Sequence, residues 1–236
     1  MLVRDAGDAW QIVLQTDHAD LSGQLARAHE HGIVTSASLM VRGEHAPAGA
    51  AWARTRPGLS VGLHVDLGRW RYAGEPWIGA FEDVPLDDAT AVGAEVAAQV
   101  ERFWALTGGP PTHLDSHRHV HRAEPARSVV REHGARLGVP VRELTPGLRY
   151  EGRFFARDAD GEPAPEAISA QALCALLRAL PAGVTELGCH PGLDDDSGSS
   201  YSVERTVETA TLCDARVRAT LREQRIELRS QRERCA

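Results

Sequence analysis

Short apolar runs alternate with longer amphipathic stretches along this 236-residue chain, and that alternation restricts the fold more than any other feature. Residues 10–16 (WQIVLQT), 36–41, 60–65 (SVGLHV), 112–115, 140–144 and 184–189 (VTELGC) have the length and composition of buried strands, with a last short one at 226–228. Residues 22–31, 46–56, 88–106, 123–137, 168–180 and 202–224 read as helices. The third of these is the clearest, because Val92, Val96, Val100 and Phe103 recur at three- and four-residue spacing. Residues 68–87, with Trp70, Tyr72 and Trp77, read as a long ordered loop, and 147–164 as irregular chain placed to cover a pocket. Strand–helix alternation of this kind implies an α/β fold with parallel strands, right-handed crossovers and surrounding helices. One domain over 1–236 is the economical reading, either a closed barrel related to the (β/α)₈ type or an open doubly wound sheet.

Composition removes several function classes. The net charge is −7, so no basic field exists to attract nucleic acid or an anionic membrane. All 26 basic residues are Arg, and neither Lys nor Asn occurs. A P-loop lysine, a Schiff base and a pyridoxal-phosphate anchor are therefore excluded. No run of about 18 apolar residues exists to span a membrane. The opening residues do not read as a signal peptide. The four cysteines lack CxxC spacing and read as reduced thiols of a cytoplasmic protein. A homodimer would be the ordinary assembly, although no surface in the sequence announces it.

The eleven histidines carry the functional signal. In α/β folds, ligands and chemistry gather at the carboxyl ends of strands. His18 follows Asp17 at the end of the first predicted strand, and His64 ends the third. His117 follows Asp115-Ser116, and His190 follows Val184–Cys189. Four strands delivering a His to one rim make a metal site the leading reading. His29, His31, His45 and His133 read as solvated or dipole-facing residues, and His113 as a structural one. His119 and His121 shape or line the loop after His117. No GxSxG elbow, HExxH or GxGxxG is present. A Cys189–His190 dyad is disfavoured because neighbours on a strand point to opposite sides.

Four runs together resemble the YdjC-like family of carbohydrate deacetylases: GIVTSASLMV from Gly32, PGLSVGLHVDL from Pro57, PTHLDSHRHVH from Pro111 and ELGCHPG from Glu186. The resemblance covers most of the chain, and THLDSHRHVH is its most specific block. It implies a distorted, TIM-like (β/α) barrel, one divalent metal ion and removal of acetyl groups from N-acetylated sugars. It also implies His64 and His117 as metal ligands, Asp17 as general base and His190 as the histidine near the scissile bond, acting as general acid. Where the family reads Asp-Asp-Phe-Gly, this chain has Asp17-His18-Ala19-Asp20. His18 thus takes the place of the metal carboxylate, with Asp20 as a substitute within reach. A three-histidine set shifts the expected ion from magnesium towards zinc, cobalt or nickel. Arg142 is expected to orient Asp17, bind substrate or form an ordinary salt bridge. Trp70, Tyr72 and Trp77 are expected either to stack on sugar rings or to pin their loop. Two other readings stay open: a metal-dependent hydrolase of a non-sugar amide or ester, and a sugar-binding protein without turnover.

Overall fold

The computed structural model describes residues 2–4, 21–43, 45–68, 70–71, 78–79, 84–158, 160–192, 201 and 203–234. The predicted strand 10–16, the loop residues Tyr72 and Trp77, and the site candidates Asp17, His18 and Asp20 lie outside them, as does the side chain of Trp70.

In chain order the elements are β1 (Leu2–Arg4), α1 (Leu21–Glu30), β2 (Ser36–Leu39), α2 (Ala46–Arg54) and β3 (Ser60–Val65). A short antiparallel pair, β4 (Trp70–Arg71) and β5 (Ile78–Gly79), follows, then α3 (Ala89–Thr107), β6 (Leu114–Ser116) and α4 (Ala126–Leu137). The remainder is β7 (Leu148–Glu151), α5 (Ala170–Ala179), β8 (Val184–Leu187), α6 (Val203–Leu212), α7 (Ala215–Glu223) and β9 (Ile226–Leu228). The helix limits have local causes. Asp88 accepts from the Thr90 and Ala91 amides at 2.8 and 3.1 Å and so opens α3, and Gly108 at φ 81° closes it. The single helix expected over 202–224 is two, because Asp214 accepts from the Arg216 amide at 2.7 Å and caps a new start.

Strands β2, β3 and β6 form one parallel sheet, extended by a bridge between Leu114 and Val141. Strands β7 and β8 pair in parallel in a second sheet of order β7-β8-β1-β9. The expectation of parallel pairing throughout is corrected here: β1 runs antiparallel to both β8 and β9. Its LVR run is too short to show a period in the sequence. The strand expected at 140–144 is reduced to the Val141 bridge, whereas a strand appears at Leu148–Glu151 inside the stretch expected to be irregular. Among the described residues the strands form separate sheets and no closed barrel.

Two apolar clusters hold the sheets. Leu39, Leu63, Val65 and Leu114 pack with Val92, Val96, Phe103 and Val130 from α3 and α4. Phe154, Leu187 and Ile33 pack with Leu173, Leu212 and Val217 around the second sheet. Each such side chain contributes roughly 1.5–3 kcal/mol on burial. Gly62 is required by packing, since a Cβ there would stand 2.4 Å from the His113 imidazole.

Candidate active site

The carboxyl ends of β3 and β6 are adjacent, with His64 paired in register with Asp115. His64 Nδ1 lies 2.9 Å from Asp115 Oδ1, and both side chains are buried. The other Asp115 oxygen is 2.9 Å from the Arg142 guanidinium, which in turn donates to Glu186. A polar chain supports this cluster from beneath. Ser38 Oγ donates to Asp115 at 3.1 Å and lies 3.0 Å from His113 Nε2, while Thr112 Oγ1 lies 2.9 Å from His113 Nδ1. Burial lowers the His113 pKa to about 3, so its ring is neutral and serves as a relay of hydrogen bonds, the structural role expected.

Burial, the largest influence on Asp115, pushes its carboxyl up, but the adjacent His64 and Arg142 outweigh it and hold the group well below the usual range. An ionised Asp115 fixes the proton on His64 Nδ1 and leaves the lone pair on Nε2. That Nε2 is buried and has no hydrogen-bond partner among the described residues. A carboxylate-backed imidazole with a free nitrogen is the arrangement of a metal ligand. The His117 ring stands beside it, with centroids 5.8 Å apart and planes at 73°. These two residues fit a divalent ion.

After β6 the chain turns through Arg118 (φ 51°) and His119 (φ 53°), a left-handed conformation uncommon outside glycine. This turn brings His119 onto Tyr150, with ring centroids 5.2 Å apart, and buries His121, whose Nδ1 lies 2.5 Å from Ser116 Oγ. His119, half-buried, has its pKa lowered to about 4 by burial and then by Arg142. Glu143 lies 3.7 Å from both His119 Nδ1 and His121 Nε2, and it receives two hydrogen bonds from Arg122.

His190 follows β8. Its ring centroid is 5.1 Å from Phe155 and 5.9 Å from Tyr201, and its Nδ1 is buried without a partner among the described residues. Its backbone amide donates to Glu208, which also accepts from the Tyr201 hydroxyl. Burial pushes the His190 pKa well below its ordinary value, with Arg205 and Arg142 acting in the same direction. Cys189 is buried and its thiol pushed up, which makes it inert as a nucleophile. A cavity of about 550 Å³ joins His64, Ser116, His119, Arg142, Tyr150 and His190. Gly188 lets Tyr150 in, since a Cβ there would stand 2.3 Å from the phenolic oxygen.

Three of the expected site residues, His64, Arg142 and His190, thus line one cavity, and His117 lies against His64. Arg142 belongs to the buried ion cluster. His133 is buried instead of solvated. Sequence reasoning did not single out Glu143, Glu186 or Glu208. Only Glu186 carried a signal, as a carboxylate inside a buried strand.

Comparison with known proteins bears directly on this rim. The model of the YdjC-like protein family matches residues 25–223. The chain belongs to this family. A relative, the chitooligosaccharide deacetylase of Salmonella typhimurium strain LT2, is 30% identical over 247 aligned positions, covering 90% of this chain and 94% of the relative. Among solved structures, a putative cellobiose-phosphate cleavage protein from Enterococcus faecalis V583 superposes with a TM-score of 0.78 at 20% identity, covering 97% of this chain and 99% of the other. A family 4 carbohydrate esterase from Streptomyces lividans, solved with acetate, gives 0.56 at 13% identity, covering 95% and 92%. These superpositions establish a shared α/β fold of parallel strands and helices. No described helix of this YdjC-like chain is long and apolar enough to cross a membrane.

Proposed function

We propose that this protein is a metal-dependent carbohydrate N-deacetylase acting on acetylated sugars of the chitooligosaccharide type, as the name of its Salmonella relative suggests. The observation that carries the reading is His64, locked by buried Asp115 with its Nε2 unpartnered among the described residues, in a cavity shared with His190. In this proposal the β2-β3-β6 sheet and the parallel β7-β8 pair are arcs of one distorted barrel.

His64 and His117 would hold the ion, with His18 as third ligand and Asp20 as its substitute. When bound, a divalent ion of the zinc type acts as a Lewis acid that polarises an acyl oxygen and lowers the pKa of water. Asp115 keeps the His64 lone pair aimed, and the His64 ring and the Arg142 guanidinium keep Asp115 ionised, with Glu186 anchoring Arg142. Asp17 takes the proton of the attacking water as general base. His190 gives a proton to the departing amine. Its depressed pKa makes it a strong donor once protonated, and the negative charge developing on the acetyl oxygen favours that protonation in the transition state. Arg142 and Tyr150 form a polar wall with the guanidinium 4.7 Å from the ring, suited to a sugar's hydroxyls and apolar face.

The test combines metal content by mass spectrometry with acetate release from N-acetylglucosamine oligomers. The wild type is expected to bind an ion and release acetate. His117→Ala should lose both, whereas Asp17→Asn should keep the ion and lose roughly 10²–10⁴ in rate. Full activity in Asp17→Asn would remove the assigned base. Sugar binding without acetate release, across zinc, cobalt, nickel and magnesium, would overturn the enzymatic reading.

A further inference from the structure

We infer that His119, His121 and Glu143 form a second cation site, separate from the His64–His117 pair, that takes a borderline divalent ion such as zinc or cobalt. Their ligand atoms all lie within 4.8 Å of one another, the one such group among the described residues. Glu143 Oε2 is 3.7 Å from His119 Nδ1 and 3.7 Å from His121 Nε2, too far for hydrogen bonds. A tetrahedral ion with bonds of about 2.0–2.1 Å sets its donors roughly 3.4 Å apart, so the two Glu143 separations of 3.7 Å need to close by a few tenths of an ångström, and the two imidazoles, within 4.8 Å of one another, would swing together by up to about 1.4 Å. Both imidazole nitrogens are buried and lack a partner among the described residues, an uncommon condition for buried polar atoms.

The surroundings fit ligation. His121 is fully buried, and Ser116 Oγ at 2.5 Å engages its Nδ1. With Nδ1–H donating there, the Nε2 lone pair is left for an ion. Arg118, His119 and Glu143 all have left-handed φ, of 51°, 53° and 59°. Three non-glycine residues in that region carry backbone strain, and such strain gathers at ligand sites. Two imidazoles and one carboxylate suit zinc, cobalt or nickel over magnesium. His119 lines the cavity, so a remaining coordination position would open towards substrate or water. Two guanidiniums oppose a cation here: Arg122, which holds Glu143 at 2.7 and 2.9 Å, and Arg142, which acts on His119.

This inference does not depend on the deacetylase reading, and cobalt titration of the metal-stripped protein, read by visible absorption, separates the two. The full-length His64→Ala/His117→Ala variant should still bind one cobalt per chain with a tetrahedral spectrum. Adding Glu143→Gln to that background should weaken this binding at least tenfold. Arg122→Gln, at an exposed position, should tighten it several-fold by removing a like charge, an effect that a merely structural role for Glu143 would not produce. Circular dichroism confirms folding of each variant. The second site is overturned if the double variant binds no cobalt, or if Glu143→Gln leaves its affinity unchanged. A wild type that binds one cobalt, kept in the double variant and lost with Glu143→Gln, upholds this site and removes the one proposed at His64 and His117.

Discussion

Two buried carboxylates back the histidines of one cavity, and they behave in opposite ways. Asp115 grips the His64 imidazole and Glu208 grips the His190 backbone amide. Burial pushes both towards the protonated form. At Asp115, the guanidinium of Arg142 and the His64 ring reverse that push. At Glu208, the His190 amide, the Tyr201 hydroxyl and the more distant Arg205 do not, and its pKa rises to about 7. Burial alone therefore does not set the charge of a carboxylate here: the His64 ring and Arg142 together hold Asp115 down, whereas Glu186, buried against Arg142, is still pushed up. The His64 side is an ionic frame with a fixed tautomer, whereas the His190 side is close to neutral and sensitive to its protons.

The largest expected effect comes from breaking the ionic side. Asp115→Asn leaves Arg142 and His64 without their shared anion. It should cost roughly 3–5 kcal/mol, the range for removing one partner of a buried pair. Metal affinity should fall about 10–100-fold, as when a ligand's supporting carboxylate is lost. Denaturant unfolding and metal titration check both, and an unchanged midpoint would mean that the frame is not a structural unit. Next comes Tyr201→Phe, which strips a donor from Glu208 and an acceptor 2.9 Å from the Ala156 amide. The expected loss is roughly 1–3 kcal/mol, the usual desolvation cost of unsatisfied buried groups.

The smallest effect is a slope. The fold favours protonated Glu208, so this group's contribution to stability is fully present below the ordinary 4.5 and is lost as pH rises through about 7. Glu208→Gln should flatten the stability–pH curve in that window, because the amide can still accept from the His190 amide and meet the Tyr201 hydroxyl. Unfolding midpoints from pH 4 to pH 8 measure it. An equal slope in variant and wild type would place the titration elsewhere.

The α/β alternation and the nearness of His64, His117 and His190 were legible because periodicity and strand-end position are local properties. Residues 60–65 were recognisable as a strand from SVGLHV alone. The break between α6 and α7 was missed because the capping of Asp214 competes with an otherwise continuous amphipathic pattern. Strand β7 was hidden by its charges, since Arg149 is exposed and only the pairing with β8 organises it. Glu143 and Glu208 were invisible for a different reason. Glu143 meets His119 and His121 only after the left-handed turn folds back, and Glu208 meets His190 across 18 positions of chain. No spacing rule encodes such encounters.

Strand β1 sits between β8 and β9, with Leu2 opposite both Thr185 and Leu228. Its neighbours are therefore synthesised about 180 and 220 positions after it. On the ribosome the β2–β3–β6 sheet can assemble as it emerges, but the four-stranded sheet must wait until β9 has been made. Such long-range pairing is slow and leaves strand edges bare in the interval. Removing β9 would convert a central strand into an open edge and invite association between copies. Strand β1 thus waits for both of its partners, and β9 is the last strand to complete the sheet.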